Sequence, residues 1–188
     1  MRYIGDVHEK FDQYLNIVNG CDESIQVGDF GAGFSPLPFS TLSKHRFIRG
    51  NHDNPEICRK NPNWIPDGSV IGNTMFIGGA LSADAIKRFD GENWWRDEEC
   101  DMSAMYDFMD IYKNAKPEIM VTHDCPETVS SVLFNKSKKT SRTIQMFDAL
   151  FRIHSPKIWI FGHHHWRRDS TIGGTRFICL EELGYIDL

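Results

Sequence analysis

Five short apolar runs in this chain each end on a cluster of glycine, carboxylate, amide or imidazole groups. Tyr3-Ile4 runs into Gly5-Asp6-Val7-His8, Ile25-Gln26-Val27 into Gly28-Asp29, and Phe47-Ile48-Arg49 into Gly50-Asn51-His52-Asp53. Ile119-Met120-Val121-Thr122 ends on His123, and Ile158-Trp159-Ile160-Phe161 ends on Gly162-His163-His164-His165. Imidazole nitrogens and carboxylate or amide oxygens are donors that bind Mn, Fe, Co and Zn ions. A buried strand that delivers such donors at its C-terminal end builds a metal site on a rigid scaffold. One cluster says little, because Gly-Asp occurs in many turns and a lone His is usually a surface or satisfied core residue. Five in one order, each behind an apolar strand, point to a dinuclear metallohydrolase.

The elements that must hold these clusters read as alternating strands and helices. A strand at 2–5 leads to a helix with Phe11, Tyr14, Leu15 and Val18 on one face, then a strand at 24–27. A Gly/Pro-rich loop at 31–38 and a short helix precede a strand at 45–49, and Asn54-Pro55 opens the next helix. Residues 61–68 are irregular; strands at 69–72 and 74–78 are joined by a Gly72-Asn73 turn. Further on come a strand at 118–122, a polar loop at 135–141, a helix at 141–154 bearing Ile144, Phe147, Leu150 and Phe151, and a strand at 157–161. Strands at 169–173 and 175–180, linked by Gly173-Gly174, close the series. Both element types recur throughout, which favours a two-sheet sandwich flanked by helices, of mixed α/β class, in a single domain over 1–188.

Residues 83–115 differ from the rest and read as an inserted cap. Asp90 to Asp110 holds eight acidic residues against one Arg, with Trp94-Trp95 inside and Met102, Met105, Tyr106 and Met109 at helical spacing behind. An acidic cap over the site would repel a long polyanion, which argues against extended DNA or RNA.

Composition excludes several classes. In 188 residues, 40% are hydrophobic and 21 Lys+Arg face 26 Asp+Glu, a balance unlike disordered or collagen-like chains. The net charge of −5 offers no general attraction to nucleic acid or anionic membranes. Cys21, Cys58, Cys100, Cys125 and Cys179 include no C-x-x-C pair, so neither a disulfide framework nor a thiolate zinc site is expected, and a reducing cytoplasm is the simplest home. The N-terminus lacks a signal-peptide core and no stretch approaches a membrane span, so secretion and membrane insertion are not expected.

The ordered clusters resemble the calcineurin-like metallophosphoesterases, whose signature runs D-x-H, G-D, G-N-H-[DE], a later His and G-H-x-H. The matching residues are Asp6-Val7-His8, Gly28-Asp29, Gly50-Asn51-His52-Asp53, His123 and Gly162-His163-His164-His165. The resemblance implies a β-sandwich with helices on both outer faces and the site at one end of the sheets. It implies two divalent ions, Mn first and Fe, Zn or Co as alternatives, with Asp6, His8 and His165 on one, Asn51, His123 and His163 on the other, and Asp29 between them. A metal-bridging hydroxide would attack phosphorus. In this scheme His52 protonates the leaving group or stabilises a phosphoryl oxygen, and Asp53 orients it.

Other residues fall outside that set. His164, between two ligands, is expected to turn away from both ions by strand alternation; His45 and His154 read as surface or core residues. Arg49 and Arg88 are candidate phosphate contacts. Trp94-Trp95 reads as packing within the cap, with stacking on a base as the alternative. The chain lacks the Asp-Arg pair of the G-D-x-x-D-R-G form found in protein serine/threonine phosphatases. Gly78-Gly79-Ala80-Leu81-Ser82-Ala83-Asp84, Trp94-Trp95 with Glu98-Glu99, Ser141-Arg142-Thr143 and Phe177-Ile178-Cys179-Leu180-Glu181 resemble small bacterial and phage members of the superfamily. The expected activity is hydrolysis of a small phosphodiester or nucleotide. A phosphomonoesterase or protein phosphatase is the alternative, and a non-catalytic scaffold is disfavoured because His52 and every expected ligand are present.

Overall fold

Apolar side chains cover both faces of the central strands, which is the pattern of strands sandwiched between two layers. The computed structural model describes residues 1–39, 41, 43–135 and 140–188. One sheet contains β1 (Arg2–Ile4), β2 (Ser24–Gln26), β3 (His45–Phe47) and β10 (Tyr185–Asp187) in the order β10-β1-β2-β3, with α1 (Phe11–Val18) and α2 (Pro55–Lys60) between its strands in the chain. The other contains β4 (Ser69–Ile71), β5 (Thr74–Ile77), β6 (Ile119–Thr122), β7 (Ile158–Phe161), β8 (Arg168–Ile172) and β9 (Thr175–Cys179) in the order β4-β5-β6-β7-β9-β8. Its crossovers carry α3 (Met102–Ala115), α4 (Glu127–Phe134) and α5 (Arg142–Ile153).

Three cores follow from the alternation. Tyr3, Ile25, Val27, Ile48, Phe76, Val121, Ile160 and Ile178 fill the space between the sheets. Ile4, Tyr14, Val18, Phe30, Phe47 and Cys58 pack beneath α1 and α2. Met75, Ile77, Met120, Trp159, Phe161 and Phe177 face Met105, Phe108, Tyr112, Phe147 and Leu150 from α3 and α5. Neighbours in sequence such as Met120 and Val121, or Trp159 and Ile160, therefore lie in different cores. The result is a mixed α/β sandwich of two sheets flanked by helices on both outer faces.

Local chemistry explains several boundaries. Asn54 caps α2, its Oδ1 accepting from Glu56 N (2.9 Å) and Ile57 N (3.3 Å), with Pro55 in the first turn where no amide hydrogen is needed. The Gly72-Asn73 and Gly173-Gly174 turns close tight hairpins in which Ile71 opposes Thr74 and Ile172 opposes Thr175.

The expected cap is divided by the structure. Because β5 and β6 are parallel, a crossover must join them, and α3 supplies it; Met105, Phe108 and Tyr112 are part of the outer core. Only the stretch before α3, a 3-10 turn at Ala85–Lys87 followed by irregular chain, remains available to cover anything. Two elements were not anticipated, α4 and the edge strand β10, which pairs antiparallel with β1. The short helix expected before β3 falls across Ser40 and Leu42, and most of the polar loop at 135–141 falls on residues 136–139; both lie outside the described residues. Among the described residues, no helix is long and apolar enough to cross a membrane.

Candidate metal centre

The five clusters converge because β1, β2 and β3 run parallel in one sheet, and β5, β6 and β7 in the other, so their C-terminal ends meet at one edge of the sandwich. Asp6 Oδ2 lies 2.9 Å from His165 Nε2 and 3.9 Å from His8 Nε2, while the two histidine nitrogens are 3.0 Å apart. On the other side, His123 Nε2 lies 3.1 Å from Asn51 Oδ1 and 3.3 Å from Asp29 Oδ1. Asp29 Oδ2 is 3.8 Å from His8 Nε2, so Asp29 faces both groups. Asp6, His8, Asp29 and His165 can bring one donor atom each within 4.8 Å of one another, and Asp29, His123 and His163 can do the same.

The backbone carries strain at these positions. His8 (φ 45°), Asp29 (57°), His163 (64°) and His165 (55°) all occupy the left-handed region, at an expected cost of about 1–3 kcal/mol each. They persist because the surroundings over-determine them. Val7 N and His8 N donate to Asp29 O (3.0 and 2.9 Å), His52 N donates to Asp29 Oδ1 (2.7 Å), and His163 N donates to the Asp6 carboxylate (3.0 and 3.1 Å). Gly50 and Gly162 are required by close approach: a Cβ at Gly50 would overlap the Asp29 carboxylate, and one at Gly162 that of Asp6.

The donor chemistry fits divalent ions. His123 Nδ1 lies 2.9 Å from Val27 O, which only accepts, so Nδ1 holds the proton and Nε2 faces the oxygens of Asn51 and Asp29. Acceptors converging in this way require a cation among them. Without metal a second proton serves: although burial opposes it, Asp29 raises His123 above the ordinary imidazole range, and the surrounding imidazoles hold Asp29 low. The hydrogen bond to Asp6 raises His165 likewise. A metal ion displaces such protons.

A family model for calcineurin-like phosphoesterases matches residues 3–167. The chain belongs to that family.

One solved structure agrees at the level of fold. A Staphylococcus aureus protein with a provisional 5′-nucleotidase assignment, solved with α-ketoglutarate, aligns with a TM-score of 0.55 at 13% identity over 97% of this chain. The chain spans only 48% of that protein's length. A Thermotoga maritima protein solved by NMR aligns at 0.43 with 15% identity, over 100% of this chain and 92% of its own. A Streptococcus pneumoniae protein predicted to be a phosphoesterase aligns at 0.38 with 12% identity, over 97% of this chain and 73% of its own. No curated protein matches the chain significantly.

The structure reassigns several residues of the phosphoesterase that had been singled out from sequence. Asp53 was expected to orient His52. Both of its oxygens are instead taken by backbone amides: Oδ2 by Phe30 (3.1 Å) and Gly50 (2.7 Å), Oδ1 by Gly31 (2.7 Å) and Ala32 (2.9 Å). It ties the Asp29 loop to the Asn51 loop. Burial and the nearby Asp29 push its carboxyl upward, opposed by those amides.

Arg49, a candidate phosphate contact, is only 4% exposed and is held within the protein. Its Nε donates to Asp67 Oδ2 (2.7 Å), Nη1 to the carbonyls of Asp97 (2.9 Å) and Glu98 (2.7 Å), and Nη2 to Cys100 Sγ (3.3 Å). Four of its five N–H donors are thus taken up inside the protein, where it clamps the segment before α3.

Arg88, the other candidate phosphate contact, lies against His52. Its Nη1 is 2.9 Å from His52 Nδ1 and its Nη2 2.8 Å from His52 Nε2, and a neutral imidazole accepts through one of them; Nε pairs with Asp84 Oδ1 (2.8 Å). The His52 ring stands perpendicular to that of His8, 5.2 Å away. Burial lowers the His52 pKa and the Arg88 charge adds to this, against Asp29, so the imidazolium expected from an Asp53 partner is not favoured here.

The remaining histidines separate cleanly. His164 turns to Asp124 Oδ1 (3.0 Å) and stacks on Phe134. Left-handed residues on both sides of it, rather than strand alternation, direct it there. His45 meets Ser24 Oγ (3.0 Å) and His154 meets Pro117 O (3.1 Å), both away from the site. Trp95 packs edge-on against Phe34. Within the acidic segment Asp90 pairs with Arg96, Asp97 with Arg59, Glu99 accepts from Thr143, and Asp101 caps α3. Sequence reasoning missed Asp124, which lies 3.7 Å from His163 Nε2; its one signal was adjacency to His123.

Proposed function

We propose that this phosphoesterase is a dinuclear metal-dependent hydrolase of a small phosphodiester or nucleotide. Asp6, His8 and His165 would hold one ion and Asn51, His123 and His163 the other, with Asp29 shared between them. The observation that carries the reading is Asp29, whose two carboxylate oxygens face His8 and His123 from one buried side chain. The nitrogen and oxygen donors, without thiolate, suit Mn²⁺ first, with Fe, Zn²⁺ or Co²⁺ as alternatives. When bound, such ions stabilise phosphoryl charge as Lewis acids and acidify water into a nucleophile.

The chain's own contribution beyond the ligands is His52 and Arg88. The His52 imidazole is placed to donate a hydrogen bond to a phosphoryl or leaving-group oxygen. Arg88, held against it, offers a guanidinium fork to the same phosphoryl group. With Arg49 buried elsewhere, one guanidinium serves the site, which suits the single negative charge of a diester better than a monoester dianion. A single domain working in a reducing cytoplasm is consistent with five cysteines that include no C-x-x-C pair.

The test is the initial rate of metal-free protein reconstituted with Mn²⁺ on mono- and bis-p-nitrophenyl phosphate. Diester preference, lost in His52→Ala with metal content unchanged, is the expected result. Monoester preference moves the assignment to a phosphatase, and no turnover of either substrate overturns it.

A further inference from the structure

Two stretches singled out in the sequence, Gly78–Asp84 and Trp94–Glu99, have no part in the chemistry above, yet they meet beside Asn51. Ser82 and Glu98 are both buried. Ser82 N donates to Glu98 Oε1 (2.9 Å) and Ser82 Oγ to Glu98 Oε2 (2.6 Å). Asn51 Nδ2 donates in turn to Ser82 Oγ (3.0 Å), which leaves Asn51 Oδ1 facing His123 Nε2 at 3.1 Å. Glu98 is itself anchored, because Arg49 holds the carbonyls of Asp97 and Glu98 while paired with Asp67.

The direction of these bonds matters because an asparagine amide has two ends of similar shape and opposite chemistry. Only the oxygen can ligate a cation, and the NH2 end would repel one. A hydroxyl has one proton, and an ionised carboxylate only accepts. Once Glu98 takes the Ser82 proton, the Ser82 oxygen can only accept from Asn51, and the amide must turn its NH2 toward Ser82 and its oxygen toward the ions.

We infer that Ser82 and Glu98 are positioning residues for the metal centre: they fix which end of the Asn51 amide faces the ions, and so set the affinity of the ion shared by Asn51, His123 and His163. The inference rests on the dinuclear hydrolase reading above. It joins two functions in one segment, since the chain that lays Arg88 against His52 also delivers Glu98 beneath it.

The test is calorimetric Mn²⁺ titration of the metal-free full-length protein, with metal content measured in parallel. Wild type takes up two ions. Glu98→Gln lets an amide donate to Ser82 and frees the hydroxyl proton to point at Asn51; the weaker ion is expected to lose about 10- to 100-fold in affinity while the other is unchanged. Ser82→Ala, a smaller change whose folding is less at risk, gives the same selective loss. In an Asn51→Asp background both side-chain oxygens are ligands, orientation no longer matters, and Glu98→Gln loses its effect. Unchanged binding of both ions in Glu98→Gln and Ser82→Ala overturns the inference. So does an equal loss in the Asn51→Asp background, which marks general loosening. Wild type that binds fewer than two ions overturns the dinuclear reading itself, and the inference falls with it.

Discussion

The strand-end loops that carry the ligand candidates and the segment between β5 and α3 both border the same site, but they are held in different ways. The loops are fixed from within. Left-handed residues, glycines pressed against carboxylates, and the Asp53 carboxylate bound to backbone amides leave each loop little freedom. The segment is fixed from outside, by side chains reaching to it: Arg49 to its carbonyls, Arg59 to Asp97, and Thr143 to Glu99. It also leaves Ile86 93% and Phe89 67% exposed on either side of Arg88. The contrast separates two tasks. The proposed metal ligation tolerates little displacement and rests on the backbone, whereas the proposed contact of Arg88 to substrate rests on a docked segment whose tethers act one at a time.

That comparison can be broken or sharpened by substitution. The largest effect should come from the loops: His52→Ala is expected to lower kcat/KM by about 10²- to 10⁴-fold, with metal content by elemental analysis unchanged. Arg49→Ala removes the main clamp on the segment and leaves Asp67 without its partner; chemical denaturation should show a loss of about 3–5 kcal/mol. If stability is unchanged, the segment is not held as described. Gly162→Ala, which drives a methyl into the Asp6 carboxylate, should displace a ligand and cost about 100-fold in kcat/KM together with bound metal. Arg88→Ala should raise KM by about 10-fold with a smaller change in kcat, as loss of one charge-assisted hydrogen bond predicts. The smallest effect belongs to Arg59→Ala: its ion pair with Asp97 is 54% and 53% exposed, and its loss should change stability by less than about 1 kcal/mol.

Much of this molecule is legible in the order of its residues. Short continuous apolar runs marked the strands, Gly72-Asn73 and Gly173-Gly174 the hairpins, and the spacing of Tyr14 and Val18 the buried face of α1. β10 was not legible, because Tyr185–Asp187 is a short edge strand whose only definition is its pairing with β1. Nor was α3 distinguishable from a cap, since its role follows from the parallel pairing of β5 with β6, a contact between residues about 45 positions apart.

The sequence by itself determined the donor types, their order and their place after strands, because those depend on local period and on what each side chain can ligate. Tertiary structure alone decided that Asp29 faces two donor groups, that Asp53 serves backbone amides, and that Arg49 is a buried clamp while Arg88 reaches His52. A charged side chain at a strand end or in a loop reads the same whichever way it turns; what it meets is set by packing between distant segments.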